Sequence, residues 1–139
     1  MDRFMKIAID EAKKSLKNGD IPVGALIIKD NKIISQAHNE KELQHNSIKH
    51  AEMIAIEQAC KKLDTWRLDD CVLYTTMEPC LMCSGAIVQS RIKKIVYAVT
   101  NEKFGYSKLL KEKYKVECIK CSNDSEIIEI LQNFFKEKR

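Results

Sequence analysis

The sequence predicts a three-layer α/β/α sandwich, in which helices cover a central sheet. Short β-patterned runs alternate along the chain with segments of helical periodicity, in the order α-β-β-α-β-α-β-(α)-β-α. Strands separated by helices require crossover connections, which place the helices on the faces of the sheet. The chain has 139 residues, 45% of them apolar, so we expect one domain over residues 1–139 with a single buried core.

The first part of the chain predicts a helix and a hairpin. Apolar residues recur at helical spacing over residues 2–18, which predicts a helix. Asp2 suits the N-cap position at its start, and Gly19 ends it. Residues 23–28 predict a strand, the polar residues 29–32 predict a turn, and residues 33–37 predict the returning strand.

The middle of the chain predicts a long loop and two buried helices. The polar segment 38–49 shows no regular pattern and is long for a connection in a compact domain, so it is a candidate functional segment. Residues 51–62 and 80–89 predict helices that are apolar over much of their surface, which indicates burial. Between them, residues 71–75 predict a short buried strand.

The last part of the chain predicts two strands and a closing helix. Residues 94–99 form a clear strand pattern, whereas segment 100–114 is polar and ambiguous. Residues 115–120 predict the last strand. A final helix follows Asp124, which suits its N-cap, and runs to about residue 136.

Two short motifs supply one imidazole, two thiols and a carboxylate. The first is His50-Ala51-Glu52 and the second is Pro79-Cys80-Leu81-Met82-Cys83. Zinc in a catalytic site takes three protein ligands and keeps a fourth position for water. We therefore predict His50, Cys80 and Cys83 as zinc ligands, and Glu52 as the residue that moves protons on and off that water.

Neither motif is specific alone. A lone Cys-x-x-Cys is often redox-active or half of a structural zinc site, and a lone His-x-Glu occurs by chance in many helices. A structural zinc site would need a fourth protein ligand and has no use for a spare carboxylate such as Glu52. Both halves also begin predicted helices, where free N–H groups favour thiolates. The combination is typical of hydrolytic zinc deaminases.

Composition limits the partners and the compartment. The net charge is +4 and the pI is near 8.7, which permits a polyanionic partner without requiring one. Lysines crowd residues 93–115, but glutamates are interleaved, so nucleic-acid contact and plain solubility both stay open. The chain has no apolar run of about 18 residues and no signal-peptide pattern at its start, so we expect a cytosolic protein with no membrane span.

The remaining cysteines and histidines have plainer interpretations. Cys60 and Cys71 lie in apolar segments and are expected to be reduced core residues. Cys118 and Cys121 form a second Cys-x-x-Cys without a matching pair nearby, and we expect one buried and one exposed thiol. His45 is expected to be a loop histidine and not a ligand, and the role of His38 stays open.

Several segments resemble the bacterial tRNA-specific adenosine deaminases, a branch of the cytidine deaminase-like superfamily. The zinc motifs mark only the superfamily, and the other segments point to the tRNA enzymes. The similarity covers most of residues 3–99 and returns in the final helix. The segments that carry it are 20–25, Asn39, 50–56, Arg67-Leu68, 73–87, Ser90-Arg91-Ile92 and Leu131 with Phe134-Phe135.

The resemblance implies a fold, a substrate and an assembly. The fold would be a five-stranded mixed sheet with helices on both sides, in a homodimer with one zinc ion per chain. The substrate would be the wobble adenosine in the anticodon stem-loop of an arginine tRNA, converted to inosine. Asn39 would hydrogen-bond the flipped base, the Ala51 backbone N–H would touch it, and Ile21 and Val23 would line its pocket.

The chain also departs from the family pattern. Residues 46–49 are Asn-Ser-Ile-Lys where the family usually has Asp-Pro-Thr-Ala, and Asn101 stands where it usually has Asp. In segment 105–114, Tyr106-Ser107-Lys108 follow Gly105 where the family usually has a loop of small residues, and the stretch to the last helix is shorter than usual. Two alternatives therefore stay open. One is a deaminase of free nucleobases or nucleosides, of guanine or cytosine type. The other is a non-catalytic zinc or nucleic-acid-binding module, which Glu52 argues against.

Overall fold

The computed structural model of the protein describes residues 2–122 and 124–137. No helix within these ranges is long and apolar enough to cross a membrane. The helices are α1 (Arg3–Lys13), α2 (Lys41–Gln44), α3 (Ala51–Leu63), α4 (Leu81–Gln89), α5 (Ser107–Glu112) and α6 (Ser125–Glu137). The strands are β1 (Gly24–Lys29), β2 (Lys32–His38), β3 (Cys71–Met77), β4 (Lys94–Val99) and β5 (Glu117–Lys120).

The strands form one mixed sheet in the order β2-β1-β3-β4-β5. β1 pairs antiparallel with both β2 and β3, whereas β3 with β4 and β4 with β5 are parallel pairs. β2, β3, β4 and β5 consequently run in one direction, and only β1 opposes them. The predicted five-stranded mixed sheet is confirmed.

Helices cover both faces of the sheet, which confirms the predicted three-layer fold. α1 and α6 lie on one face, where Met5, Ile9 and Ile127 are fully buried. α3, α4 and α5 lie on the other face, where Ala55 and Ile87 are fully buried. The sheet therefore separates two apolar cores instead of bounding one.

The β1–β2 hairpin has the turn that its sequence predicts. Asp30 and Asn31 adopt left-handed backbone, with φ of 52° and 63°. Two successive left-handed residues are typical of the two-residue turn that matches the twist of paired strands, and Asp and Asn tolerate this conformation well. The register shifts between Ile27 and Ile28, so the hairpin carries an irregularity beside the turn.

Gly24 lets α1 lie directly against β1. A Cβ atom at this position would stand 2.0 Å from the Ala8 carbonyl oxygen and 2.8 Å from the Ala12 nitrogen. Both are backbone atoms of a packed helix, so they cannot move aside cheaply. Only glycine fits at this contact.

Two segments in the first half of the chain differ from the predictions. The first helix ends at Lys13, and a separate 3-10 turn, Leu16–Asn18, precedes Gly19, whose φ is 74°. Just before this turn, the buried Ser15 side chain donates to the carbonyl of Asn39. Segment 38–49 is not wholly irregular, since it contains α2. The Asp20 carboxylate caps the first turn of α2, where it accepts hydrogen bonds from the backbone N–H groups of Glu42 and Leu43.

The later segments were also predicted incompletely. The ambiguous segment 100–114 contains α5, and the last strand begins at Glu117 instead of residue 115. Lys115 has a φ of 59°, which strand geometry does not allow.

The two edges of the sheet are short or polar. β5 has four residues, of which Glu117, Ile119 and Lys120 are exposed. β2 forms the other edge and carries a charged exposed residue, Lys32, near the register shift.

Candidate active site

Strand direction brings the candidate residues to one end of the sheet. α3 follows β2, α4 follows β3, and the segment after β4 leads to α5. Because these strands run in the same direction, both α3 and α4 begin at the same end. Ligands in α/β folds bind outside the carboxyl ends of strands. The residues before the antiparallel β1, Ile21 and Val23, reach this end as well.

The three predicted ligands come together at two helix starts. His50 is the N-cap of α3, Cys80 is the N-cap of α4, and Cys83 lies in the first turn of α4. Both caps have extended backbone, and neither uses its side chain to cap its own helix. The imidazole and the thiols are therefore free to point at one another.

The spacing of these atoms fits a tetrahedral zinc ion. Nδ1 of His50 lies 3.6 Å from Sγ of Cys80 and 3.6 Å from Sγ of Cys83. All three ligand atoms lie within 4.8 Å of one another. Zinc–nitrogen and zinc–sulfur bonds of about 2.0 and 2.3 Å at tetrahedral angles would separate nitrogen and sulfur by about 3.5 Å. One imidazole and two thiols are also ligands that zinc prefers, so the residues fit this metal.

The two thiols differ in acidity. A hydrogen bond from the Cys83 thiol lowers the pKa of Cys80 to about 4, and the bond with His50 acts in the same direction. The same bond between the cysteines, together with burial, raises the pKa of Cys83. The bond with Cys80 raises the pKa of His50. The site thus favours a thiolate at Cys80.

Glu52 lies in the first turn of α3 and is 4% exposed. Burial raises the pKa of this carboxyl group to about 7. Near neutral pH the group can therefore exist in either form, which is what a residue that both takes and gives protons requires. Interaction with the Cys83 side chain acts against this rise in pKa, so Glu52 lies beside the ligand group.

Asn39 ties the end of β2 to the start of α3. Its Oδ1 accepts from the Ala51 backbone N–H at 2.7 Å, and its Nδ2 donates to the Ile21 carbonyl at 3.0 Å. An amide oxygen accepts two hydrogen bonds and an amide nitrogen donates two. Asn39 consequently fixes the Ala51 N–H and retains one acceptor site and one donor for another molecule.

Asn39, His50, Glu52 and Cys80 line an open cleft of about 840 Å³. Val23 is buried in its wall, whereas Ile21 is 40% exposed at its mouth. The other residues of the wall come from α2, α4, α6, the end of β3 and the segments that follow β3 and β4. They include Lys41, Glu42, Met77, Glu78, Leu81, Met82, Asn101, Phe104, Tyr106, Phe134 and Phe135.

Glu78 organises the segment after β4, a role that sequence reasoning missed. This buried carboxylate accepts hydrogen bonds from the backbone N–H groups of Asn101 and Ser107, and from the Ser107 hydroxyl. A Cβ atom at Gly105 would stand 2.4 Å from its Cδ, so the segment wraps closely around it. The available signal was an acidic residue at the end of an apolar strand, two positions before a predicted ligand.

Other sulfur and imidazole groups lie apart from the site. His45 is exposed at the end of α2, and His38 bonds through Nδ1 to the Glu11 carboxylate. Cys118 packs with the core beneath α3 to α5, and Cys121 packs with the core beneath α1 and α6. Both thiols are half-buried, so the prediction of one buried and one exposed thiol was wrong.

Cys60 and Cys71 were expected to be reduced residues of the core, and their positions agree with this. Cys71 is buried and Cys60 is half-buried, and both are free thiols. Burial raises the pKa of each, which keeps them protonated and unreactive.

This fold and this group of residues define a zinc-type deaminase. A profile of the MafB19-like deaminase family matches residues 1–139. The tRNA-specific adenosine deaminase of Bacillus subtilis strain 168 is 43% identical over 143 residues, which cover 98% of this chain and 89% of that protein. The chain therefore belongs to the MafB19-like deaminase family, together with the bacterial tRNA-specific adenosine deaminases.

Solved structures agree with the fold. One structure comes from studies of A-to-I editing by tRNA:A34 deaminases at the wobble position. It matches with a TM-score of 0.87 and 29% identity, over 94% of this chain and 100% of that chain. The X-ray structure of guanine deaminase from Bacillus subtilis matches with a TM-score of 0.68 and 33% identity, over 97% of this chain and 93% of that chain.

Proposed function

We propose that this protein hydrolyses wobble adenosine in tRNA to inosine, in a zinc-dependent reaction. The observation that carries the proposal is the convergence of His50, Cys80 and Cys83 beside a buried glutamate, in a cleft open to a large substrate. The named activity of the Bacillus subtilis relative supports the choice of substrate.

One zinc ion per chain would be held by His50, Cys80 and Cys83. When bound, it supplies Lewis acidity that makes water a nucleophile near neutral pH. His50 and Cys80 also line the cleft, so a metal ion held by these residues would be within reach of a substrate there.

Glu52 carries the proton transfers. The oxygen of water adds at C6 of adenine, and the exocyclic amine leaves as ammonia. Glu52 takes the water proton, protonates the ring at N1 and then assists the departure of the amine. This carboxyl group is buried in the wall of the cleft, so the protons it carries can reach a substrate held there.

Asn39 and its neighbours would receive the base. Its remaining acceptor and donor suit the edge of a purine, while Ala51 N–H holds its carbonyl in place. Ile21 and Val23 line the cleft and would form the apolar walls that contact the faces of the base. The Ala51 backbone N–H, which was also expected to touch the base, donates to Oδ1 of Asn39 and would act on the base through that side chain.

The partner we propose is the anticodon stem-loop of a tRNA, bound by a homodimer. A flipped base in a loop is accessible without opening a duplex, which suits an open cleft at the surface. Reduced cysteines and a tRNA substrate both favour the cytosol.

The first experiment is an inosine assay on the zinc-loaded protein. An arginine anticodon stem-loop with wobble adenosine is incubated with enzyme, and the product is identified by mass and by released ammonia. Parallel samples contain the DNA version, free guanine, cytosine and adenosine. Inosine in the RNA alone supports the proposal. Turnover of guanine with an inert stem-loop would instead favour the activity named for the second Bacillus subtilis protein.

Replacement of Glu52 tests its assigned role. Glu52→Gln keeps the size of the side chain but removes the proton carrier, so we expect kcat to fall by about 10²- to 10⁴-fold with zinc content unchanged. Zinc is measured by elemental analysis of the same samples. Full activity in this variant would remove Glu52 from the mechanism. The control is Glu57→Gln, an exposed carboxylate on the same helix.

A further inference from the structure

Phe104 presents an apolar ring to solvent at the mouth of the cleft. Its side chain belongs to the cleft wall, yet the residue is 64% exposed, more than any other large apolar residue in the described part of the chain. Phe135, which is 44% exposed, lies in the same wall. Exposed aromatic rings that border a binding site are a typical sign of recognition.

The backbone that carries Phe104 is fixed from both sides. Its N–H donates to Oδ1 of Asn101 at 3.2 Å, which closes a local turn. The buried Glu78 carboxylate holds the N–H groups of Asn101 and Ser107, at either end of the same segment. The ring is thus presented from an ordered segment, so binding to it loses little conformational entropy.

The cleft is larger than one nucleobase requires. Its volume of about 840 Å³ lies in the range of pockets that enclose drug-sized molecules. A base placed beside Glu52 would leave the outer part of the cleft, where Phe104 lies, for another part of the substrate.

Charge near Phe104 favours a polyanion. Residues 101–115 include five lysines and two glutamates: Lys103, Lys108, Lys111, Lys113 and Lys115 against Glu102 and Glu112. Among the described residues, the side chains of Lys103, Lys108 and Lys111 lie beyond salt-bridge distance of any carboxylate. These exposed cations lie close to Phe104 in sequence and are available to the phosphates of a bound RNA.

We propose that Phe104 stacks on the nucleobase adjacent to the reactive adenine and holds the loop of the RNA while that adenine enters the cleft. Proteins that bind single-stranded nucleic acid combine a basic groove with aromatic rings on which bases stack. The proposal rests on the proposed function, since it requires an oligonucleotide substrate. Phe104 is a positioning residue and acts on substrate binding.

Steady-state kinetics on the stem-loop test the role of the ring. Phe104→Ala is expected to raise KM about ten-fold with kcat within about two-fold, because stacking is lost and the chemistry is untouched. Phe104→Trp should keep the KM of the unmodified protein. Trp66→Ala is the matched control, since Trp66 is 57% exposed but lies outside the cleft wall. Equal KM values for Phe104→Ala and the Trp66→Ala control would overturn the proposal.

Abasic substrates identify the stacked base. Stem-loops that lack the base on the 5′ or the 3′ side of the adenosine are assayed with the unmodified protein and with Phe104→Ala. The effect of the substitution should disappear for one of the two substrates. An effect that persists on both would overturn stacking on a neighbouring base. Failure of the unmodified protein to form inosine in any stem-loop would refute the proposed function itself, which separates the two failures.

Discussion

At the scale of single residues, the pKa values of two buried glutamates shift in opposite directions because their surroundings differ. Burial raises the pKa of Glu52 to about 7. Burial also acts to raise the pKa of Glu11, but hydrogen bonds from Lys14, His38 and Gln36 outweigh it and lower the value. One carboxyl group is therefore available for proton transfer, and the other is a fixed anion that joins α1 to β2.

The fixed anion should stabilise the protein in a pH-dependent way. Since the folded pKa of Glu11 lies below its ordinary value of 4.5, its contribution is present above that pH and is lost as the pH falls through the folded value. We expect Glu11→Gln to lower the free energy of unfolding by about 1–3 kcal/mol at pH 7.

Urea unfolding at a series of pH values measures this effect. The difference between the variant and the unmodified protein should shrink in acid. Glu57→Gln, which removes only a surface pair with Lys49, should change stability by less than about 1 kcal/mol throughout. A constant deficit for Glu11→Gln down to the acid limit would show that its carboxylate charge is not what stabilises the contact.

At the scale of elements, the site depends on how closely segments approach. α1 lies on β1 through Gly24, and the segment after β4 wraps around Glu78. Neither contact includes a predicted ligand. The contact at Gly24 nevertheless positions β1, and the residues just before this strand line the cleft. The contact around Glu78 determines the shape of the cleft mouth.

Gly24→Ala should lower the free energy of unfolding by at least about 1–3 kcal/mol, because the alanine methyl group would overlap the backbone of α1. Thermal and urea unfolding report the change. Gly85→Ala is the control, since a Cβ atom there meets no atom within 4 Å, and a helical glycine replaced by alanine should gain about 0.5–1 kcal/mol. Similar effects of the two substitutions would contradict the close contact.

Glu78→Gln should loosen the mouth of the cleft without removing the metal. The amide has one acceptor oxygen where the carboxylate has two, so a backbone donor of Asn101 or Ser107 loses its partner. We expect faster hydrogen exchange at these two amides and a several-fold higher KM for the stem-loop, with zinc content unchanged. Glu102→Gln, an exposed change on the same segment, should have neither effect.

At the scale of the whole molecule, periodicity and motif were enough to predict the layers of the fold and the convergence of His50, Cys80 and Cys83. The alternation of strands and helices predicted the layers, and two motifs predicted which ligands would meet. The approach of Gly24 to α1 and the bonds of Glu78 were not predicted, because they depend on segments far apart in sequence. α2 was missed, and α5 was predicted only as an optional helix, because both are too short to show a clear apolar stripe.

Long-range charge predicts how binding responds to salt. The logarithm of the stem-loop affinity should fall linearly with the logarithm of salt concentration, since each phosphate contact releases counterions. Lys108→Ala should reduce the magnitude of that slope by about 0.7–1. Lys6→Ala is the control, because Lys6 already pairs with Asp10 and Glu126 on α1 and α6. Fluorescence anisotropy at several salt concentrations measures both, and equal slopes for all three proteins would exclude phosphate contact by Lys108.

The sheet edges restrict how two copies can assemble. β5 offers only four residues, with Glu117 and Lys120 in solvent, and β2 pairs with β1 through a shifted register. Short, charged or irregular edges resist the addition of a further strand, which protects against fibre-like growth. A continuous sheet across two molecules is therefore disfavoured. The homodimer that we propose would be joined through its helices and loops, so that the association stops at two copies.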